Sequence, residues 1–160
     1  MSFPMYWDIL PNADRARYIS LRQKISKEGQ NNKNSNTVNI SFEDQLKMIR
    51  EFAERNDIHD WKRFLVCGIC WKGDVLGVNT RQLRFLIKKC KSAINNSLQR
   101  MGYQVCHSNS LKPWTVFSPM IPYINTNMSE LRQWTIRINT KDIKARIETA
   151  SKFREIAPLA

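Results

Sequence analysis

Acidic residues are missing from the middle of this 160-residue chain: between Val75 and Ser129 there is not one Asp or Glu. That gap excludes the paired carboxylates that acid–base hydrolysis needs from this stretch. Glycine is scarce as well, with five residues in all and none grouped into a loop that could cradle a phosphate. Only two histidines occur, and His107 follows Cys106 directly, so on a strand the two side chains would point to opposite faces and could not form a nucleophile–base pair. No apolar run approaches the roughly 20 residues of a membrane helix. The opening residues, with Pro4, Asp8 and three aromatics, lack the basic segment and apolar run of a secretory leader. These absences argue against an enzyme, a small-molecule substrate and a membrane partner.

Four cysteines complete the short inventory. Cys67 and Cys70 lie in the apolar run RFLVCGICW, without the polar, Gly-rich knuckle of a zinc site. Cys90 falls where a helix should pack and Cys106 on a strand, so all four are expected as buried free thiols, with no metal and no cofactor.

What the chain has in quantity is positive charge, and it is unevenly spread. Residues 1–60 balance nine Lys/Arg against nine Asp/Glu, whereas residues 61–160 carry seventeen against five and account for the whole net charge of +12. A long acid-free basic segment suits a surface facing a polyanion, because each neutralised phosphate releases condensed counterions. Hydrophobic residues make up 42% of the chain, including five Trp and seven Phe, enough for one packed core.

The helical pattern begins at Asn12–Ser26, where Ala16, Ile19 and Ile25 recur among polar residues and Gly29 is expected to stop the helix. The aromatic lead-in (Phe3, Tyr6, Trp7) is expected to fold back onto the body, and Gly29–Asn39 reads as a polar loop. Ser41 is a candidate N-cap for a scaffold helix whose stripe is Phe42, Leu46, Ile49, Phe52 and Ala53. His59, in the connector that follows, reads as a capping or surface residue. Phe64–Trp71 reads as a strand-like apolar run and Lys72–Gly77 as a turn.

Next, Asn79 or Thr80 can cap a helix of about nine residues that buries Leu83, Leu86 and Ile87. A second helix, Lys91–Met101, turns Ile94, Leu98 and Met101 inward and ends at Gly102. Two short helices joined by a tight polar turn predict a helix-turn-helix. Strands are expected at Tyr103–Ser108 and Arg132–Ile138, with the Pro-rich segment Asn109–Ser129 between them as an enlarged wing and SPMIPYI as a short helical turn on the core. Thr140 is expected to cap an amphipathic C-terminal helix. The fold class is therefore mainly α with small β: a winged helix-turn-helix over 41–138, an N-terminal helix and loop over 1–40, and a C-terminal helix over 139–160.

The polar face of the second helix presents Lys91, Ser92, Asn95, Asn96, Gln99 and Arg100. Amides pair with adenine edges and Arg or Lys with guanine, so these are expected to contact bases. A merely solvated face would favour Glu and Lys in i,i+4 pairs, and here Glu is absent. Arg81, Arg84, Lys88 and Lys89 are expected on phosphates, Lys112 in the wing, and Arg132 and Arg137 on the closing strand. Trp71, Trp114 and Trp134, with apolar neighbours, are expected in the core rather than as stacking platforms.

Three segments, FLVCGICW, VNTRQLRFLIKKCKSAINNSLQRMGY and ELRQWTIR, resemble the DNA-binding domain of the trichomonad initiator-binding proteins. The resemblance covers roughly Ser41 to Ile138, with a fainter echo in YWDILPNADRARYISLRQK. It implies a nuclear, metal-free transcription factor that recognises the initiator element of core promoters in double-stranded DNA, with its recognition helix at Lys91–Arg100. The family archetype carries a separate C-terminal domain that engages RNA polymerase II, for which these 160 residues have no room, so the chain reads either as an isolated domain or as a short paralogue, with the C-terminal helix as the expected contact with the transcription machinery. The rival readings are a winged-helix protein-interaction module and a nonspecific RNA or chromatin binder. Single-strand readers interleave exposed aromatics with basic residues, which this segment does not.

Overall fold

The computed structural model describes residues 2–30, 40–106, 115 and 118–141, with the side chains of 27–30 left aside. Six α-helices and four strands fall within them: α1 (Asn12–Gln30), α2 (Phe42–Ala53), α3 (Asp60–Cys67), β1 (Ile69–Lys72), β2 (Val75–Val78), α4 (Thr80–Leu83), α5 (Lys91–Arg100), β3 (Tyr103–Val105), α6 (Met128–Leu131) and β4 (Thr135–Asn139). Short 3-10 turns occur at Trp7–Ile9 and Pro122–Thr126. The strands form one antiparallel sheet in the order β1-β2-β4-β3. The fold is thus mainly α with a small sheet.

Local chemistry sets the helix ends. The Ser41 side chain accepts a hydrogen bond from the Asp44 N–H, and Glu43 and Asp44 sit in the first turn of α2, where the helix dipole favours negative charge. Leu46, Ile49, Phe52 and Ala53 of α2 are buried. Asn79 caps α4 by accepting from the Gln82 N–H, and Gly102, at φ +99°, closes α5 in the left-handed conformation. Helix α1 runs through Gly29 to Gln30, so that glycine does not stop it.

Two segments differ from what their sequence suggests. Phe64–Cys67 is the end of a helix, not a strand: Arg63 to Cys67 are buried on every side of α3, so no amphipathic period betrays it. Helix α4 holds four residues, not nine. Beyond it the backbone bonds Leu86 N–H to Leu83 O and Lys89 N–H to Ile87 O, and this tighter turn still buries Leu83, Leu86 and Ile87. Within Lys72–Gly77 only the Gly73–Asp74 pair turns, and Val75–Val78 pairs with β1 and β4 as an inner strand.

A charged knot ties α1, α2 and α3. Arg63 is 1% exposed; its Nε donates to Ala53 O (3.0 Å), and its other nitrogens donate to Asp14 Oδ2 (3.2 Å), Asp57 Oδ1 (2.8 Å) and Asp60. Burial alone would raise the Asp14 carboxyl, but the hydrogen bonds and charges of Arg55 and Arg63 outweigh it and hold it below the usual carboxylate range. Asp57 is lowered chiefly by its bond from Arg63.

The aromatic lead-in does fold back. Phe3 stacks on Trp7, Trp7 meets Tyr18 edge-on, and Gln82 exchanges hydrogen bonds with Met5, receiving its N–H at 3.2 Å and donating to its carbonyl at 2.9 Å. Trp71 and Trp134 are core residues, and the 122–126 turn packs through Ile124 with Ile121 beside it. Lys112, Trp114, the wing residues around them and the C-terminal segment beyond Lys141 lie outside the described residues.

Candidate nucleic-acid interface

The interface is built on α5. Ile94 and Leu98 are fully buried and fix the helix against the core, which leaves Lys91, Ser92, Asn96, Gln99 and Arg100 exposed and Asn95 half-buried. A groove of about 330 Å³ opens beside the helix, lined by Arg81, Arg84, Lys91, Asn95, Arg132 and Arg137 with hydroxyl and amide neighbours such as Thr80 and Gln133. Among the described residues no acidic side chain lines it. Basic residues from α4, α5, α6's C-terminal end and β4 therefore converge on one concave surface, and low-dielectric walls concentrate their field. Lys88 and Lys89 line a neighbouring cavity of about 560 Å³ together with Arg81, Arg84 and Cys90. Lys89 also places its ammonium 5.4 Å from the Phe42 ring centre.

Arg137 is not a surface cation awaiting a phosphate. It is 6% exposed, and its Nη1 donates to Tyr103 O (3.0 Å) while its Nη2 donates to Asn95 Oδ1 (3.1 Å). Burial pulls its guanidinium below the ordinary arginine value. The alternation of β4 turns Arg137 away from the Ile136 face, and that second face is covered by α5 rather than by solvent. An arginine has only donors, so the Asn95 carbonyl oxygen must face it and the Asn95 amide nitrogen faces outward. Asn95 thus offers hydrogen-bond donors to the groove, where sequence alone would let it pair with adenine through both atoms.

Behind the groove lies a polar hub that sequence reasoning missed. Glu130, 5% exposed, accepts from Tyr6 Oη (2.7 Å), Asn79 Nδ2 (3.1 Å) and Trp134 Nε1 (3.0 Å). It joins the cap of α4 to the end of α6, the two elements that carry Arg81 and Arg132. Desolvation and the Glu130 bond push the Tyr6 hydroxyl far above the ordinary tyrosine range. The one signal available was that Glu130 ends the acid-free stretch.

The cysteines divide two and two. Cys67 and Cys70 are buried free thiols, and desolvation pushes the Cys70 thiol up to about 12 and Cys67 higher still. Cys106 is half-buried and Cys90 is exposed, because the α4–α5 turn holds it at the N-cap of α5 instead of packing it. Its Sγ lies 3.2 Å from Ser92 Oγ, and this bond, followed by the Ala93 N–H, lowers the thiol. Among the described residues no His, Cys, Asp and Glu group into a possible metal site, and no helix is long and apolar enough to cross a membrane.

Residues 12–141 match the model of the transcription-initiator DNA-binding domain family. The chain belongs to that family. No curated protein and no solved structure matches it. Membership in the transcription-initiator DNA-binding domain family makes the chain a DNA-binding domain of transcription initiation, in a family of binding domains rather than of enzymes. The matched span of the initiator domain reaches from α1 past β4, so the charged knot and the basic groove both fall within it.

Proposed function

We propose that the chain is a sequence-specific reader of double-stranded DNA at initiator-type core-promoter elements, acting in the nucleus. The supporting observation is the acid-free groove in which Arg81, Arg84, Lys91, Asn95 and Arg132 converge beside an exposed amide-rich helix. Helix α5 enters the major groove, where Asn95, through its outward donors, and Asn96, Gln99 and Arg100 contact base edges. Lys91 and Ser92 lie at its leading end. Arg81, Arg84, Arg132, Lys88 and Lys89 bind phosphates and set the register. The unit is a winged helix spanning 41–138, with the insertion between β3 and β4 as the wing that carries Lys112. The 139–160 segment contacts the transcription machinery in this reading.

Fluorescence anisotropy with an initiator duplex and a scrambled duplex at two salt concentrations tests this. The initiator is expected to bind about a hundredfold more tightly or better. The double variant Asn95→Ala/Asn96→Ala loses that preference and keeps weak salt-sensitive binding. Equal weak affinity of the wild type for both duplexes would remove the sequence-specific part. Absence of any salt-sensitive binding would remove DNA altogether and leave the protein-interaction alternative.

Arg137 is a positioning residue in this scheme. Arg137→Lys retains a charge but reaches only one of its two acceptors, so the Asn95 amide is free to rotate. The preference for initiator over scrambled DNA should fall about tenfold, corresponding to the lower part of the ~1–3 kcal/mol carried by a good base contact. Low-salt affinity for scrambled DNA should stay unchanged, which a generally loosened fold would not permit.

A further inference from the structure

A third opening, a cavity of about 400 Å³, lies between the α4–α5 turn and α1 and adjoins the cavity of Lys88 and Lys89. Arg22, Ser26, Arg84, Phe85 and Lys88 line it, again with no acidic side chain among the described residues. Arg22 is 6% exposed and lies 5.5 Å from the Phe3 ring centre and 5.7 Å from that of Tyr18. Its Nη1 donates to Ser2 O (2.9 Å), but its Nη2 is buried without a hydrogen-bond partner. Arg22 forms no ion pair among the described residues. The contrast with Arg63 is informative: there the same kind of buried guanidinium meets three carboxylates and a carbonyl.

A buried, half-satisfied guanidinium is costly to keep unless something completes it. The geometry points to an oxyanion site in this cavity that takes a phosphate group, with Arg22 supplying the fixed donor, Ser26 a hydroxyl, and Arg84 and Lys88 mobile cations at the mouth. Planar guanidinium forks and ammonium groups, with no competing carboxylate among the described residues, match the oxygens of a phosphate. Two sources share that chemistry: a backbone phosphate of DNA running past Arg84, which also borders the α5 groove, or the phosphate of a free ligand. The first source rests on the DNA-binding reading; the site itself does not.

Inorganic phosphate is the probe. Titrating it into the full chain against a chloride control of equal ionic strength should shift the Arg22 Nε–H resonance saturably in the low-millimolar range. The Ser26 and Phe85 backbone amides beside the cavity should shift with the same saturation, and Arg22→Met, which keeps an apolar stem between Phe3 and Tyr18, abolishes their saturable response. Lys88→Ala, at an exposed position that leaves the core untouched, weakens it severalfold. The DNA arm then separates the sources. If Arg22→Met reduces the slope of log affinity against log salt by about one phosphate, roughly 0.9, the occupant is a backbone phosphate. An unchanged slope with saturable phosphate binding makes it the phosphate of a free ligand. If the Arg22 resonance responds no more to phosphate than to chloride, the site is overturned, whatever DNA does.

Discussion

Gly68→Ala lowers the melting temperature by roughly 10 °C or more, equivalent to about 4 kcal/mol for a domain of this size. Gly68 holds φ +79° at the end of α3, and a Cβ there would sit 2.5 Å from Asn79 O, 2.6 Å from Gln82 Cβ and 2.8 Å from Leu83 N. Two of these three are backbone atoms of the α4 cap and helix, which cannot rotate aside. The Gly68 carbonyl also receives the Asn79 N–H at 2.8 Å, so the two segments are already in contact. Gly73→Ala supplies the control. Gly73 is likewise left-handed, at φ +58°, but a Cβ would meet nothing within 4 Å. Its replacement costs only the conformational penalty of about 1–2 kcal/mol. Calorimetry on the two variants therefore separates backbone strain from collision. Melting of Gly68→Ala within a few degrees of Gly73→Ala would show that α4 yields more easily than its contacts imply.

Arg63→Met costs about 3 kcal/mol or more, because removing one partner of a buried charge cluster strands the others. Asp14 keeps Arg55, while Asp60 keeps the N–H groups of Arg55, Asn56 and Asp57 that shape the α2–α3 connection. The Ala53 carbonyl, by contrast, loses the Arg63 donor. Urea denaturation should show a lower midpoint at unchanged slope. Adding Asp14→Asn to Arg63→Met should deepen the loss, since it also takes the carboxylate partner from Arg55. The acid limb carries a second signature. Asp14 and Asp57 are held below their ordinary values when folded, so they stabilise the wild type above about pH 4 and lose that contribution as pH falls through their lowered folded values. Wild-type stability declines over that window, and the Arg63→Met curve should be flatter there. Parallel acid limbs would mean that the knot contributes little.

How far these features could be read from sequence depends on whether one side of an element faces water. Ser41, Asn79 and Gly102 announce helix ends through local chemistry, and each works as expected. The stripe of Ile94 and Leu98 orients α5 because its other face is solvated. Phe64–Cys67 gives no such contrast, being buried all round, and its apolar run passes for a strand. Arg137 misleads for the opposite reason. Alternation along β4 correctly separates it from Ile136, but nothing local reveals that α5 covers the second face. Arg22 and Glu130 were invisible as members of sites because their partners lie far along the chain. Lone charged residues become legible only when the fold brings distant segments together.

Strand β4 pairs with β2 on one side and β3 on the other, with Leu76 opposite Arg137 and Val105 opposite the same residue. The last strand among the described residues is thus an interior strand of the sheet, and it carries the arginine that bonds Asn95. During synthesis, α4 and α5 leave the ribosome well before β4 does. Until β4 inserts, β2 and β3 have no bridge and the groove lacks the wall that bears Arg132 and Arg137. Contacts so distant in sequence form late and slowly. If the chain reads DNA sequence as proposed, a nascent or truncated chain would display the basic helices before the groove that discriminates is complete, and selectivity would come only when β4 inserts.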